Sequence, residues 1–341
     1  MSASSSPPSA PLSKVLLQMG TGYWLSMAIH VAAKLGIADL LAKGPQTADQ
    51  LAKATGTHAP SLYRLLRTLA SKEIFSEQKD GTFTLTPLAE YLRSDVPGSM
   101  RAAAIMTGEE HFRAWAEFEH CIRTGQTAFE RVFGKPVFQY LSEHPESAKI
   151  FDEAMVGVHG DETFAMLEAF DFSRIGTLVD VGGGNGSTLT QTLIRTPKLK
   201  GILYDLPHVV ERARPLLKSA GVADRCQPIG GSFFEAAPPG GDAYMMRHIL
   251  HDWYDPECQT ILKNIRKVIP KNGQLLIVET VIPPGNTPHF AKLLDLNMLA
   301  IPGGKERTEQ EYRTLFASAG FRLDRVVPAK SSVDVIVGAP V

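Results

Sequence analysis

Apolar residues recur every three or four positions through Val15–Leu25 and again through Ala28–Leu41, a spacing that predicts two amphipathic helices. Thr47 has the chemistry of an N-cap for a short helix Ala48–Ala54, with Gly56 as its stop, and Pro60 opens a second helix running to Ala70. From Phe75 to Leu85 the pattern switches to alternation around Lys79-Asp80-Gly81, as a hairpin requires. Helix, helix, hairpin is the order of a winged helix. Residues 101–170 return to helical spacing and concentrate aromatic side chains: Trp115, Phe118, Phe129, Phe133, Phe138 and Tyr140. Core packing and the lining of an apolar ligand pocket are both open to them.

The character changes at Gly176. Thr177–Val181, Gly201–Leu206, Asp242–His248 and Gln274–Thr280 are short apolar runs, separated by segments able to form helices at Thr188–Arg195, Val209–Ser219 and Pro256–Val268. Strand–helix alternation predicts a parallel sheet with helices on both faces. Arg322–Val327 and Val333–Val337 are joined by a link too short for a helical crossover, so the last two strands form an antiparallel pair. The expected fold is α/β: a Rossmann-like, doubly wound sheet closing on a C-terminal hairpin, preceded by a mostly helical winged-helix domain. Four stretches follow: a disordered tail over 1–12, a winged-helix-like domain over 13–100, a helical linker or pocket segment over 101–170, and the sheet domain over 171–341.

Composition narrows this picture. The 341 residues carry 35 Lys+Arg and 36 Asp+Glu, a net charge of −1, which argues against a polyanion as the main partner. The second helix of the winged-helix pattern holds Arg64 and Arg67, but Leu62, Leu65, Leu66 and Leu69 line it more fully than its own core needs. Protein contact is therefore favoured over DNA. The first dozen residues, rich in Ser, Pro and Ala, lack the basic start and apolar core of a signal peptide. No apolar run approaches the roughly 20 residues that span a bilayer. Cys121, Cys226 and Cys258 lie far apart without a CxxC pair, which suits a reducing cytoplasm.

The first strand of the sheet ends in Asp180-Val181-Gly182-Gly183-Gly184-Asn185-Gly186. Glycines there let the backbone turn tightly and approach a ligand at the C-terminal edge of the sheet. Asp205 ends the next strand, where a carboxylate can accept from both hydroxyls of a ribose. A dinucleotide loop would read GxGxxG, and this one reads GxGxG with an acid, Asp180, just ahead of it. An acid beside the loop suits a ligand with a cationic portion, such as the ammonium and sulfonium of S-adenosylmethionine. An N-cap, N1 and N2 read from Asp255-Pro256-Glu257 leaves His251 in a strand-to-helix loop on the same edge. A histidine titrates near the working pH of a general base, and two acids, Glu279 and Glu306, fall at neighbouring loop edges. A carboxylate on the far ring nitrogen would fix its tautomer. His248 is expected inside the preceding strand in a structural role, and no paired histidine spacing points to a metal.

DVGGGNG, YDLPHV, RHILHDW, IVET and PGGKERTEQEY, in this order, closely resemble the plant-type small-molecule O-methyltransferases, which include caffeic acid and N-acetylserotonin enzymes. The resemblance covers nearly the whole chain after the tail and implies a class I methyltransferase sheet behind a dimerisation domain. It implies that Gly182 and Gly184 belong to the S-adenosylmethionine loop with Asp180 beside it, that Asp205 holds the ribose, that Ser232 and Phe233 lie by the adenine, and that Arg247 is a cofactor contact. His251 matches the catalytic base, flanked by Glu279 and Glu306, while Met155 and Met298 match positions that touch the acceptor. Relatives place Asp where this chain has Ser232, and Leu299–Pro302 is one residue shorter than in plant members. The expected reaction moves a methyl group to a hydroxyl of a small aromatic metabolite in a homodimeric enzyme, without metal, nucleic acid or membrane. Its rivals are an NAD-dependent oxidoreductase, disfavoured by the missing GxGxxG, and a ligand-sensing winged-helix regulator, which has little use for a His–Glu–Glu set.

Overall fold

The computed structural model describes residues 11–341, so most of the expected tail lies outside the described residues. The chain divides into two compact units. One comprises the described residues up to Arg113 together with Leu141–Val158, and the other comprises Ala114–Tyr140 and His159–Val341.

The first unit opens with helices Leu12–Gly20, Gly22–Lys34 and Ile37–Leu41. The breaks fall at Thr21 and at Leu35-Gly36, where Gly36 takes φ 66°, rather than between Leu25 and Ala28, because glycine alone tolerates that left-handed turn cheaply. Thr47 caps helix Ala48–Thr55 in a full capping box, its Oγ accepting from Gln50 N–H while Gln50 Oε1 accepts from Thr47 N–H at 2.8 Å. Helix Ala59–Ala70 buries Leu62, Leu66 and Leu69. The hairpin Phe75–Glu77/Thr82–Leu85 gains a third strand, Gln46–Thr47, too short for periodicity to reveal. Leu51, Leu66, Phe75 and Phe83 make the centre of this core.

The second unit is built on seven strands: β1 (Thr177–Val181), β2 (Lys200–Asp205), β3 (Cys226–Gly230), β4 (Ala243–Arg247), β5 (Gln274–Glu279), β6 (Phe321–Pro328) and β7 (Asp334–Pro340). Their order is 6-7-5-4-1-2-3, with β7 antiparallel to β5 and β6 antiparallel to β7, the remaining pairs being parallel. The C-terminal hairpin stands as expected. β3 was not expected; it is an edge strand carrying Pro228, whose missing N–H and polar neighbours hide the pattern. Each strand feeds both faces: Leu178, Leu203, Met245 and Leu276 pack into one core, and Val179, Tyr204, Tyr244 and Ile277 into the other. Strand order reverses between β1 and β4, the place where a doubly wound sheet opens a crevice beyond its carboxyl ends. A two-residue parallel ladder, Val281–Ile282 with Arg307–Thr308, sits just past β5 and sets Glu306 close to the end of that strand.

Among the described residues no helix is long and apolar enough to cross a membrane.

Candidate functional site

The glycine loop leaves β1 with Gly182 at φ 71° and Gly184 at φ 57°, both in the left-handed region. A Cβ on Gly182 would meet Ile249 at 2.5 Å and Phe233 at 3.6 Å, whereas one on Gly184 would enter open space. The loop therefore packs tightly on its inner side and leaves its outer backbone free for a ligand. Gly184 N–H donates to Asp205 Oδ2 at 2.9 Å, and Leu206 N–H donates to Asp205 Oδ1 at 2.7 Å. These bonds fix the carboxylate at the end of β2 while leaving it lone pairs for two hydroxyl donors.

Asp180 lies at 2% exposure with Oδ2 unpartnered. Burial pushes its pKa up to about 7, opposed by Arg247 and reinforced by Asp205. Arg247, at the end of β4, donates from Nη1 to the hydroxyls of Thr163 and Thr188, and from Nη2 to the His159 carbonyl and Glu162 Oε2. Its Nε is buried and unpartnered. An orphaned acceptor and an orphaned donor beside the glycine loop fit a ligand carrying both an ammonium and a carboxylate, which is the amino-acid end of S-adenosylmethionine. Most of the guanidinium is committed to protein, so only Nε–H is left for that carboxylate. Ser232 Oγ accepts from Phe234 N–H at 3.3 Å and closes a turn. Phe233 turns its ring towards Gly182, with Phe234 at 4.8 Å between ring centroids.

Beyond β4 the chain enters a 3-10 turn, Leu250–Asp252, that carries His251. His251 Nδ1 lies 2.7 Å from Glu306 Oε1, and Asp252 Oδ1 is 3.6 Å from Nε2. Burial works against a charged ring here, but Asp252, with Glu306 and Glu279, outweighs it and pushes the His251 pKa up to about 10. Glu279 stands apart from the ring. It is fully buried, its Oε1 accepts from the backbone N–H groups of Ile249 and His251, and its Oε2 accepts from the Tyr312 hydroxyl at 2.5 Å. Glu306 meets the expectation of a carboxylate on the far ring nitrogen, and Glu279 instead fastens the turn.

Two sequence expectations are corrected. His248 falls one residue past β4 rather than inside it, at φ 52°, a backbone strained for a non-glycine residue. Its Nε2 lies 2.8 Å from Glu162 Oε2, and its ring stacks on His159 with centroids 3.9 Å apart. Asp255 does not cap its helix; Tyr254 occupies the N-cap and the Asp255 carboxylate accepts from Arg307. Met298 is buried on helix Ala291–Ala300, and its carbonyl accepts from the N–H groups of Gly303 and Gly304. Met155 belongs to the other unit and packs by Ala102, Ala103 and Ala154. Sequence reasoning missed Asp252, Glu162, Arg307 and Tyr312. Arg307 and Tyr312 stand in the PGGKERTEQEY run already singled out, whereas nothing in its local pattern marks Glu162.

The family model for the O-methyltransferase domain matches residues 115–322, and that for the O-methyltransferase dimerisation domain matches residues 17–95. The phenazine O-methyltransferase of Lysobacter antibioticus is 48% identical over 331 residues, covering 97% of each chain. The crystal structure of LaPhzM matches with a TM-score of 0.93 at 48% identity, over 97% of this chain and all of that one (100%). An O-methyltransferase from neocarzinostatin biosynthesis, solved with S-adenosylmethionine and 2-hydroxy-5-methyl naphthoic acid, matches at 32% identity with a TM-score of 0.82, over 93% of this chain and 96% of that one. With the sheet, the glycine loop and these matches together, the chain belongs to the O-methyltransferases that carry an N-terminal dimerisation domain, and it is an S-adenosylmethionine-dependent enzyme of small-molecule methylation.

Proposed function

We propose that the enzyme methylates a hydroxyl on a small, fused-ring aromatic metabolite of the hydroxyphenazine or hydroxynaphthoate kind, with His251 as general base. The observation that carries the base is the 2.7 Å contact between His251 Nδ1 and Glu306 Oε1 in a buried turn at the sheet edge. With Nδ1–H given to Glu306, Nε2 is the ring atom left to take the acceptor's proton. The acceptor class is supported by the high identity to the phenazine enzyme and by aromatic side chains near the turn, Phe233, Phe234 and Trp253 among them.

S-adenosylmethionine, when bound, supplies a methyl group already activated on a sulfonium. Asp205 would hold its ribose, Asp180 and Arg247 Nε its amino-acid end, and Phe233 would pack beside its adenine, with Ser232 closing the turn that presents that ring. His251 Nε2 removes the hydroxyl proton as the oxygen attacks, and Glu306 steadies the imidazolium. A phenol with a pKa near 10 needs that base. No metal enters the scheme: in the His159–Glu162–His248 group the shared carboxylate oxygen already receives the Arg247 guanidinium, which occupies the place of a cation. Met298 and Met155 are proposed acceptor contacts on the strength of the resemblance alone.

The enzyme is proposed to act as a homodimer in the cytoplasm. Leu12, Leu16, Leu17 and Met19 on the first helix are 64–86% exposed in the single chain, an apolar face suited to a second copy. Sedimentation of the full chain reads this directly, and a monomer at micromolar concentration would refute it. The function is tested with labelled S-adenosylmethionine against hydroxyphenazines, hydroxynaphthoates and simple phenols. Methylation of the fused-ring acceptors supports the reading, and transfer to none of these hydroxyls overturns it.

A further inference from the structure

Arg307 is a charged side chain at 0% exposure, the largest fully buried side chain among the described residues. Its guanidinium commits all five N–H donors to oxygen. Nε and Nη2 donate to Asp255 Oδ1 at 3.1 and 2.8 Å, Nη1 to the carbonyls of Leu250 and Lys305 at 3.0 and 3.3 Å, and Nη2 to the carbonyl of Trp253 at 3.0 Å. The Leu250 and Trp253 carbonyls belong to the turn on either side of His251. Glu279 holds the N–H groups of the same turn, and Lys305 N–H donates to the His251 carbonyl at 2.9 Å. The backbone around the histidine is thus pinned from its donor side by a carboxylate and from its acceptor side by a guanidinium. Glu306, which meets the ring, is the residue next to Arg307 in the chain.

We infer that Arg307 is a positioning residue for methyl transfer: it fixes the backbone on both sides of His251 so that the ring is delivered to Glu306 through Nδ1. The inference rests on His251 being the base. A planar five-donor fork is what the site uses; a lysine offers three donors from a single point and cannot reach carbonyls on both sides of the turn. The charged and titratable groups whose fields act on the His251 ring are Asp252, Glu306, Glu279 and His248, whose ring centroid is 5.1 Å away. Loosening the turn moves the ring relative to all four, so its titration reports the positioning.

The test uses the full chain with isotopically labelled histidine, assigning His251 by its absence from the spectrum of His251→Gln. In Arg307→Lys the His251 midpoint falls by about one pH unit or more as its carboxylates are lost. Methyl transfer to a hydroxynaphthoate probe falls about tenfold or more, while the Kd for S-adenosylmethionine changes less than about twofold. Asp255→Asn weakens two of the five bonds from a carboxylate that is half exposed, at 51%, and shifts the midpoint the same way by less; it carries the test if Arg307→Lys fails to fold. An unchanged His251 midpoint in the variant that folds overturns the inference and leaves Arg307 a structural residue. Undiminished transfer by His251→Ala overturns the base itself, a separate result from a separate measurement.

Discussion

A Cβ placed on Gly304 would lie 1.9 Å from the carbonyl oxygen of His251, so the segment leading to Glu306 and the turn bearing His251 touch backbone to backbone. No side chain fits between them. Gly304→Ala forces the two segments apart and lengthens the His251–Glu306 contact. Turnover of this variant is expected to fall about 10²-fold, as for an ångström-scale misplacement of a reacting group, with a smaller effect on cofactor affinity. Steady-state kinetics beside calorimetry of S-adenosylmethionine binding check this, and wild-type turnover would contradict it.

The pH dependence follows from the carboxylates around His251. With its pKa pushed up to about 10, the ring holds a proton at neutral pH in the free enzyme, and a base must first lose it. The rate of methyl transfer therefore rises with pH between about 6 and 9, and the positive sulfonium moves the midpoint below the free-enzyme value. A kcat/KM profile that falls with pH over that range would reverse this assignment.

Tyr312 donates to Glu279 at a site where both side chains are fully buried. Tyr312→Phe leaves Glu279 Oε2 without that donor in a dry environment, at a cost of about 1–3 kcal/mol of stability. Urea unfolding measures the loss. Because Glu279 acts through the backbone of the turn, the activity lost should accompany the stability lost.

Glu162 accepts from Arg247, His159, His248 and the Ser332 hydroxyl. Burial alone would raise its pKa, but the hydrogen bonds from His159 and His248 hold it far below the ordinary carboxylate range. A depressed pKa stabilises the fold above the unfolded value of about 4.3, and that stability is lost only as pH falls below it. Glu162→Gln should cost about 3–5 kcal/mol at pH 7. The gap to wild type should narrow as denaturation is repeated towards about pH 3.

Asp205 holds Gly184 N–H and, in the proposed cofactor site, is the carboxylate that would meet the ribose. Asp205→Ala removes both and is expected to weaken S-adenosylmethionine binding by about 2–4 kcal/mol. Calorimetry with the cofactor alone reads it, independently of any acceptor.

Much of the fold is written locally. Thr47 with Gln50, and Thr308 with Glu311, cap their helices through side chains three residues apart, so the signal sits in adjacent sequence. The glycines of the loop and the acids closing β1 and β2 are equally local, because a tight βα turn demands left-handed backbone at fixed positions. Long-range matters were not legible. β3, with Pro228 on an edge, exists because β2 offers it a partner. Asp255 reads as a helix cap until Arg307, distant in sequence, claims its carboxylate.

The strand–helix rhythm, the glycine loop, the C-terminal hairpin and the residues able to do chemistry follow from the order of amino acids, since each depends on backbone preference or on side-chain type. Tertiary structure alone decided what each charged residue does. Glu279 and Glu306 are the same residue type at comparable sheet edges, yet one fastens the backbone and the other meets the ring. The difference comes from the two-residue ladder past β5 and the backbone contact at Gly304, which set distances that no local pattern encodes.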